Sequence, residues 1–168
     1  LSSGGHKLGG VDFEDPDFRA RPYDKWVSYG QAKTANILFS VELTRRLAGC
    51  GITANAVHPG AIATTDLARH LGPSDFGEMM RRTKFSDRVP FKSMEAGAAT
   101  SVWAAVAPEL EGCGGLYLED CHVAEVSDDP DNGQSGCRSY ATDPLAARRL
   151  WSLSEQLAGE RFAWGDDD

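Results

Sequence analysis

Residues 26–48, WVSYGQAKTANILFSVELTRRLA, contain no proline and are followed after three residues by ITANAVHPG, residues 52–60. This pairing constrains the fold more than any other feature. The first run predicts a long helix, with Asp24 placed to cap it and Arg45 and Arg46 in its last turns, where cations suit the helix dipole. Gly49 and Gly51 mark its end. Ala32, Ala35, Ile37, Leu38, Phe39, Val41 and Leu43 cover most of its circumference, so the helix is expected to be buried on more than one side. The second run is β-branched at its start and closed by Pro-Gly, which suits a buried strand. A helix feeding directly into such a strand is one half of an α/β unit.

The remaining chain fills in around this unit. Residues 1–24 read as irregular, with glycines at 4, 5, 9 and 10 and an acidic, proline-broken stretch whose carboxylates Asp12, Glu14, Asp15 and Asp17 read as a solvated loop. ATTDLARHL opens a short helical stretch capped by Thr64 or Thr65. Residues 73–92 are polar and mixed, a mobile helical segment in which Phe76, Met79 and Met80 could form an apolar lid. Ser93 caps a second good helix over 93–107, ended by Pro108. CGGLYLED, 113–120, predicts a second strand, 126–136 a loop, 143–159 an amphipathic C-terminal helix and 160–168 a disordered tail. Two strands make a poor sheet for a complete α/β domain.

The formal net charge is −8, with 25% charged and 41% hydrophobic residues. This acidity disfavours nucleic acid and anionic membrane surfaces as partners. No stretch has the apolar length of a membrane span. The four cysteines, Cys50, Cys113, Cys121 and Cys137, show no CxxC spacing. A reduced, cytoplasmic protein without a metal site is therefore the expectation. His58 reads as a strand-end residue that packs locally.

Tyr29 and Lys33 stand four positions apart on the predicted helix and so share a face. An ammonium beside a phenol stabilises the phenolate, and a position near the helix N-terminus acts in the same direction. Such a pair can exchange a proton with a substrate oxygen. Alone the spacing is common. Its setting is more particular: a Ser2-Ser3 pair before a glycine turn lies upstream, and HPGAIATT follows a strand end downstream. In open α/β sheets, ligands bind at the carboxyl ends of the strands.

In this order, Ser2-Ser3, YGQAKTAN, ITANAVHPG and the PGxxxT of Pro59 to Thr64 resemble the short-chain dehydrogenase/reductase family, in its retinol-dehydrogenase-like and WW-domain-oxidoreductase-like branch. The resemblance covers nearly the whole chain. It implies the C-terminal part of a Rossmann-like, doubly wound parallel sheet, starting after the fifth of seven strands and lacking the N-terminal nucleotide-binding half. It further implies Ser3, Tyr29 and Lys33 as catalytic residues. Ser3 would polarise the substrate oxygen, Tyr29 would move the proton, and Lys33 would tune Tyr29 and hold the nicotinamide ribose. Pro59, Gly60, Ile62 and Thr64 would line the nicotinamide of NAD or NADP, with Thr65 the alternative to Thr64. The substrate would be a small, apolar carbonyl or alcohol. The family's glycine-rich TGxxxGxG loop is absent from the 168 residues, and GGHKLGG neither follows a strand nor opens a helix. The chain by itself is accordingly expected to bind dinucleotide poorly. The alternatives are an inactive remnant that self-associates through the helix at 26–48, a helix that commonly packs on a partner subunit in this family, and epimerase or dehydratase chemistry with the same Tyr/Lys pair.

Overall fold

The computed structural model describes residues 1–83, 91–130 and 135–163. Four helices, α1 (Lys25–Leu47), α2 (Pro73–Thr83), α3 (Met94–Val106) and α4 (Pro144–Ala158), surround a small sheet of β1 (Ala56–His58), β2 (Tyr117–Glu119) and β3 (His122–Val123). β1 and β2 run parallel, with Ala56 opposite Tyr117 and His58 opposite Glu119. The expected α/β class and the two expected strands are present, although each strand is shorter than its sequence run. A third strand corrects the count. β3 returns antiparallel on β2 through a two-residue turn in which Asp120 and Cys121 both have positive φ, the backbone of a tight hairpin.

Each long helix starts where a side chain satisfies its first free N–H groups. Asp24 accepts from the backbone of Trp26 at 2.9 Å and Val27 at 3.0 Å. Ser93 accepts from Ala96 at 3.2 Å, and Asp143 from Leu145 at 2.9 Å, with Pro144 in the first turn.

α1 is buried on several sides, and adjacent residues serve different neighbours. Ile37 packs into the sheet with Ala56 and Tyr117. Leu38, about 100° further round the helix, packs against Ala147 and Leu150 of α4. Across the sheet, Val57 and Leu118 meet Trp103 and Ala104 of α3. The face toward α1 turns polar at the carboxyl ends of its strands, where His58 and Glu119 follow Ala56 and Tyr117. Glu42 of α1 is buried with only 1% of its surface exposed, and the guanidinium groups of Arg45 and Arg46 hold its carboxylate at 2.7 and 2.8 Å.

The irregular start of the chain is more ordered than its composition suggests. A 3-10 turn at Gly4–Leu8 lies across α1. The following loop corrects the expectation of a merely solvated acidic stretch. Asp12 accepts from the backbone N–H groups of Glu14 and Asp15, Asp15 accepts from Arg19 and Ala20, and Arg21 bridges Asp12 at 2.8 Å and Asp15 at 3.6 Å. Gln31, buried on α1, clamps both strands of the loop. Its carbonyl accepts from Asp12 N at 2.9 Å, and its amide donates to Pro16 O at 2.8 Å.

Gly30 lets the turn approach α1. A Cβ there would sit 2.8 Å from Leu8 Cβ and 3.1 Å from two backbone atoms of Gly5 and Gly9. Gly→Ala in a helix interior normally gains about 1 kcal/mol. Here overpacking costs about 1–3 kcal/mol, so Gly30→Ala is expected to destabilise the protein in urea denaturation, reversing the usual sign.

Residues 164–168 of the expected tail, and residues 84–90 of the expected helical segment, lie outside the described residues, as do the side chains of Phe76 and Met80. Residues 160–163 are irregular, with Phe162 N donating to Glu155 at 2.9 Å. No helix among the described residues is long and apolar enough to cross a membrane.

Candidate active site

The helical period distributes the YGQAK motif among different tasks. Gly30 and Thr34 face the turn at 4–8, and Gln31 faces the acidic loop. Tyr29 and Lys33 share a face, with the Lys33 Nζ 5.5 Å from the centre of the Tyr29 ring. Both side chains are half-buried. Among the described residues the Tyr29 hydroxyl makes no hydrogen bond and the Lys33 ammonium no ion pair.

Gly5 brings Ser3 to this pair. A Cβ on Gly5 would lie 2.4 Å from Tyr29 Cε1 and 3.4 Å from Ser3 Oγ. The phenol ring and the serine hydroxyl therefore flank one bare Cα. Ser3 Oγ accepts from Gly5 N at 3.0 Å, which uses a lone pair and leaves its O–H to donate elsewhere. Ser2 points away. It is buried, and its hydroxyl donates to Lys33 O at 2.9 Å, while its N–H donates to Val57 O at 2.8 Å. Ser2 thus fixes this segment to both α1 and β1, and Ser3 is the member of the pair placed at Tyr29.

The Pro59–Ile62 segment leaves the carboxyl end of β1 and is held on three sides. His58 Nδ1 accepts from Gly60 N at 3.3 Å. Lys92 donates its backbone N–H to Ala61 O at 2.8 Å, and its side chain passes over Gly60 to pair with Asp120. Ile62 sits over Gly97 of α3. Thr64 is exposed in a turn. Thr65 is half-buried, and its hydroxyl donates to Ile62 O at 3.4 Å. Sequence spacing left these two threonines open, and Thr65 is the one turned back toward the segment.

Beneath the Ser3 turn lies a polar layer that sequence reasoning missed. His6 is fully buried, its ring 4.9 Å from that of Tyr117. Arg138 N donates to its Nε2 at 3.2 Å, and its Nδ1 lies 2.8 Å from Ser3 O. Burial pushes its pKa down to about 4. Its backbone carbonyl accepts from Thr34 Oγ1 at 3.2 Å and Tyr140 OH at 2.7 Å. Burial raises the pKa of Tyr117, whose hydroxyl finds no partner among the described residues, and lowers that of His58. Glu119, 3% exposed, accepts from Ser135 Oγ at 2.8 Å and Gly136 N at 2.6 Å. No sequence signal marked His6, because it stands inside a glycine cluster and Arg138 and Tyr140, which close over it, are far along the chain.

A shallow groove of about 270 Å³ opens beside the start of α1, lined by Tyr23, Asp24, Lys25, Trp26 and Glu78. α2 borders it and is tied to α1 by Lys25–Asp75 and by Arg82–Asp24 at 2.9 Å.

No family model matches the chain. Individual proteins do. The chain is 46% identical over 154 residues to a "probable oxidoreductase" of Streptomyces lividans, covering 90% of this chain and 51% of that protein. It is 40% identical over 167 residues to retinol dehydrogenase 13 of Mus musculus, covering 98% of this chain and 46% of that one. A crystal structure of an uncharacterized protein from Mycobacterium paratuberculosis superposes with a TM-score of 0.52 at 30% identity, over 96% of this chain and 49% of that chain. The chain spans about half the length of the curated relatives it matches. Along nearly its whole length the chain is thus similar to about half of proteins named oxidoreductase and retinol dehydrogenase, which are members of the short-chain dehydrogenase/reductase family.

Proposed function

We propose that this chain carries the proton-transfer side of an oxidoreductase acting on the carbonyl or alcohol of a small apolar molecule. One observation carries the reading: Ser3 and Lys33 flank Tyr29, and among the described residues the hydrogen-bonding capacity of all three is largely unused. Buried or half-buried polar groups are usually paired, so three such groups at one spot suit a ligand.

In this reading Ser3 Oγ donates a hydrogen bond to the substrate oxygen. Tyr29 gives that oxygen its proton in the reductive direction and takes it back in the oxidative one. Lys33 supplies positive charge beside the phenol, which stabilises negative charge on the tyrosine oxygen as the proton leaves. A nicotinamide dinucleotide, when bound, supplies or accepts the hydride at the substrate carbon. The residues present fit its nicotinamide end: Lys33 has no ion pair among the described residues, and the Pro59–Ile62 segment lies at a strand's carboxyl end, where such ligands bind in open α/β sheets. Its pyrophosphate end has no TGxxxGxG loop among the 168 residues.

Two measurements test this. Isothermal titration of the 168-residue chain with NADH and NADPH is expected to show weak or no binding, and tight saturable binding would refute that part. The native protein carrying the chain is expected to consume reduced nicotinamide in the presence of retinal or another apolar aldehyde. No turnover across a panel of such carbonyls and alcohols, with either dinucleotide, would overturn the activity.

A further inference from the structure

We infer that His6 is a positioning residue for the Ser3–Tyr29 site, acting as a neutral imidazole with its proton on Nδ1; this rests on the reading of the site proposed above. The hydrogen bonds assign the tautomer from both ends. Nε2 accepts from the Arg138 N–H at 3.2 Å and so carries no proton. The remaining ring proton is on Nδ1, where it donates to Ser3 O at 2.8 Å. Ser3 O also accepts from the His6 backbone N–H at 3.0 Å. Two donors from one residue thus fix the peptide that follows Ser3, the residue whose hydroxyl flanks Tyr29 across Gly5.

The imidazole also joins that peptide to a distant part of the chain. Arg138 holds one side of the ring, and Tyr140 OH holds the His6 carbonyl at 2.7 Å. Tyr117 of β2 packs its ring at 4.9 Å, and Thr34 of α1 holds the same carbonyl. The titratable and charged groups around His6 are Lys7 in the same turn, His58 on β1, Tyr117 and Glu119 on β2, and Arg138 and Tyr140. Lys7, His58 and Arg138 all oppose a second proton on the ring, and a charged imidazole would have to turn a donor toward the Arg138 N–H. The segment at 138–140 therefore reaches the site through His6, although it contributes no side chain to it.

The test has two parts. In the first, the ring ¹⁵N shifts of His6 are followed by NMR in the wild-type chain as pH falls from 7.5. The expected result is an Nδ1–H tautomer that stays neutral well below the ordinary histidine range. An Nε2–H tautomer, or a titration near pH 6.5 with the fold intact, would overturn the inference. In the second, steady-state kinetics compare His6→Asn, which keeps a donor toward Ser3 O, with His6→Leu, which does not. In the native protein His6→Leu is expected to lower kcat roughly 10- to 100-fold with little change in KM, a misplacement effect, and His6→Asn to recover much of it. Equal kcat in wild type and both variants would overturn the inference. Tyr29→Phe, assayed in parallel, separates the two levels. Full activity in that variant refutes the site itself, whereas its inactivity beside fully active His6 variants refutes only the role of His6. Should His6→Leu fail to fold, the wild-type tautomer and His6→Asn still decide.

Discussion

Tyr29→Phe is expected to lower turnover of the native protein by about a thousandfold, within the 10²–10⁴ range of a positioned acid or base, while dinucleotide affinity and stability stay close to wild type. The separation follows from the structure. The substitution removes one oxygen that has no hydrogen bond among the described residues. It leaves the ring against Gly5 and beneath the Lys33 ammonium. Little packing is lost, so an effect on rate cannot be attributed to unfolding. Steady-state kinetics with a parallel fluorescence titration of reduced dinucleotide provide the check. A variant with wild-type kcat would remove Tyr29 from the mechanism. A variant that loses dinucleotide binding as well would mean that the hydroxyl serves the cofactor and not the proton.

Acid is expected to destabilise the fold before its surface carboxylates titrate. His6 in the unfolded chain takes up a proton near its ordinary value of 6.5, whereas in the native state it does so only at about 4. Below pH 6.5 the unfolded state therefore binds more protons than the native one. Stability falls as pH drops through this window and levels off, for this group, below about 4. The shift corresponds to a loss on the order of 3 kcal/mol. His58, also lowered by burial, acts with the same sign. Asp24 and Asp128, held low mainly by hydrogen bonds with Val27 and with Ser139, lose their contribution only at more acidic pH. Urea denaturation at pH 7, 5.5 and 4.5 should show the midpoint falling in the first interval, and His6→Asn should flatten that fall. A midpoint unchanged between pH 7 and 4.5 would show that His6 is accessible to protons in the native state.

Local chemistry made much of this fold readable from the sequence. Asp24 and Ser93 cap the helices they precede because their oxygens reach N–H groups two or three residues on. Pro59-Gly60 ends β1 as its composition suggests. The shared face of Tyr29 and Lys33 was legible because the two are one helical turn apart, and the Ser2-Ser3 pair stood out before its glycine turn, whereas the choice of Ser3 over Ser2 rested on a family resemblance. What escaped depends on long-range partners or on unusual backbone. The β2–β3 turn uses Asp120 and Cys121 at positive φ, and cysteine is no turn signal. The acidic loop is ordered because Asp12 and Asp15 cap their own backbone and Gln31 grips it from α1. In the motif Gln31 reads as a spacer. His6 gives no local sign at all, since its burial is completed by Tyr117, Arg138 and Tyr140, more than a hundred positions away.

That distance carries a consequence for how the protein is made. Arg138 is 132 residues beyond His6, and Tyr140 is 134 beyond it. α1, with its caps and its Tyr29/Lys33 face, can form from local contacts as soon as it leaves the ribosome. The turn that brings Ser3 to Tyr29 cannot be locked then, because closing so long a loop must wait for its far end. During synthesis the nascent chain is therefore expected to carry its helix before the Ser3 turn is locked against it. Over that interval the His6 ring and the Tyr117 face of the sheet are expected to stand open to water, to chaperones and to misplaced neighbours.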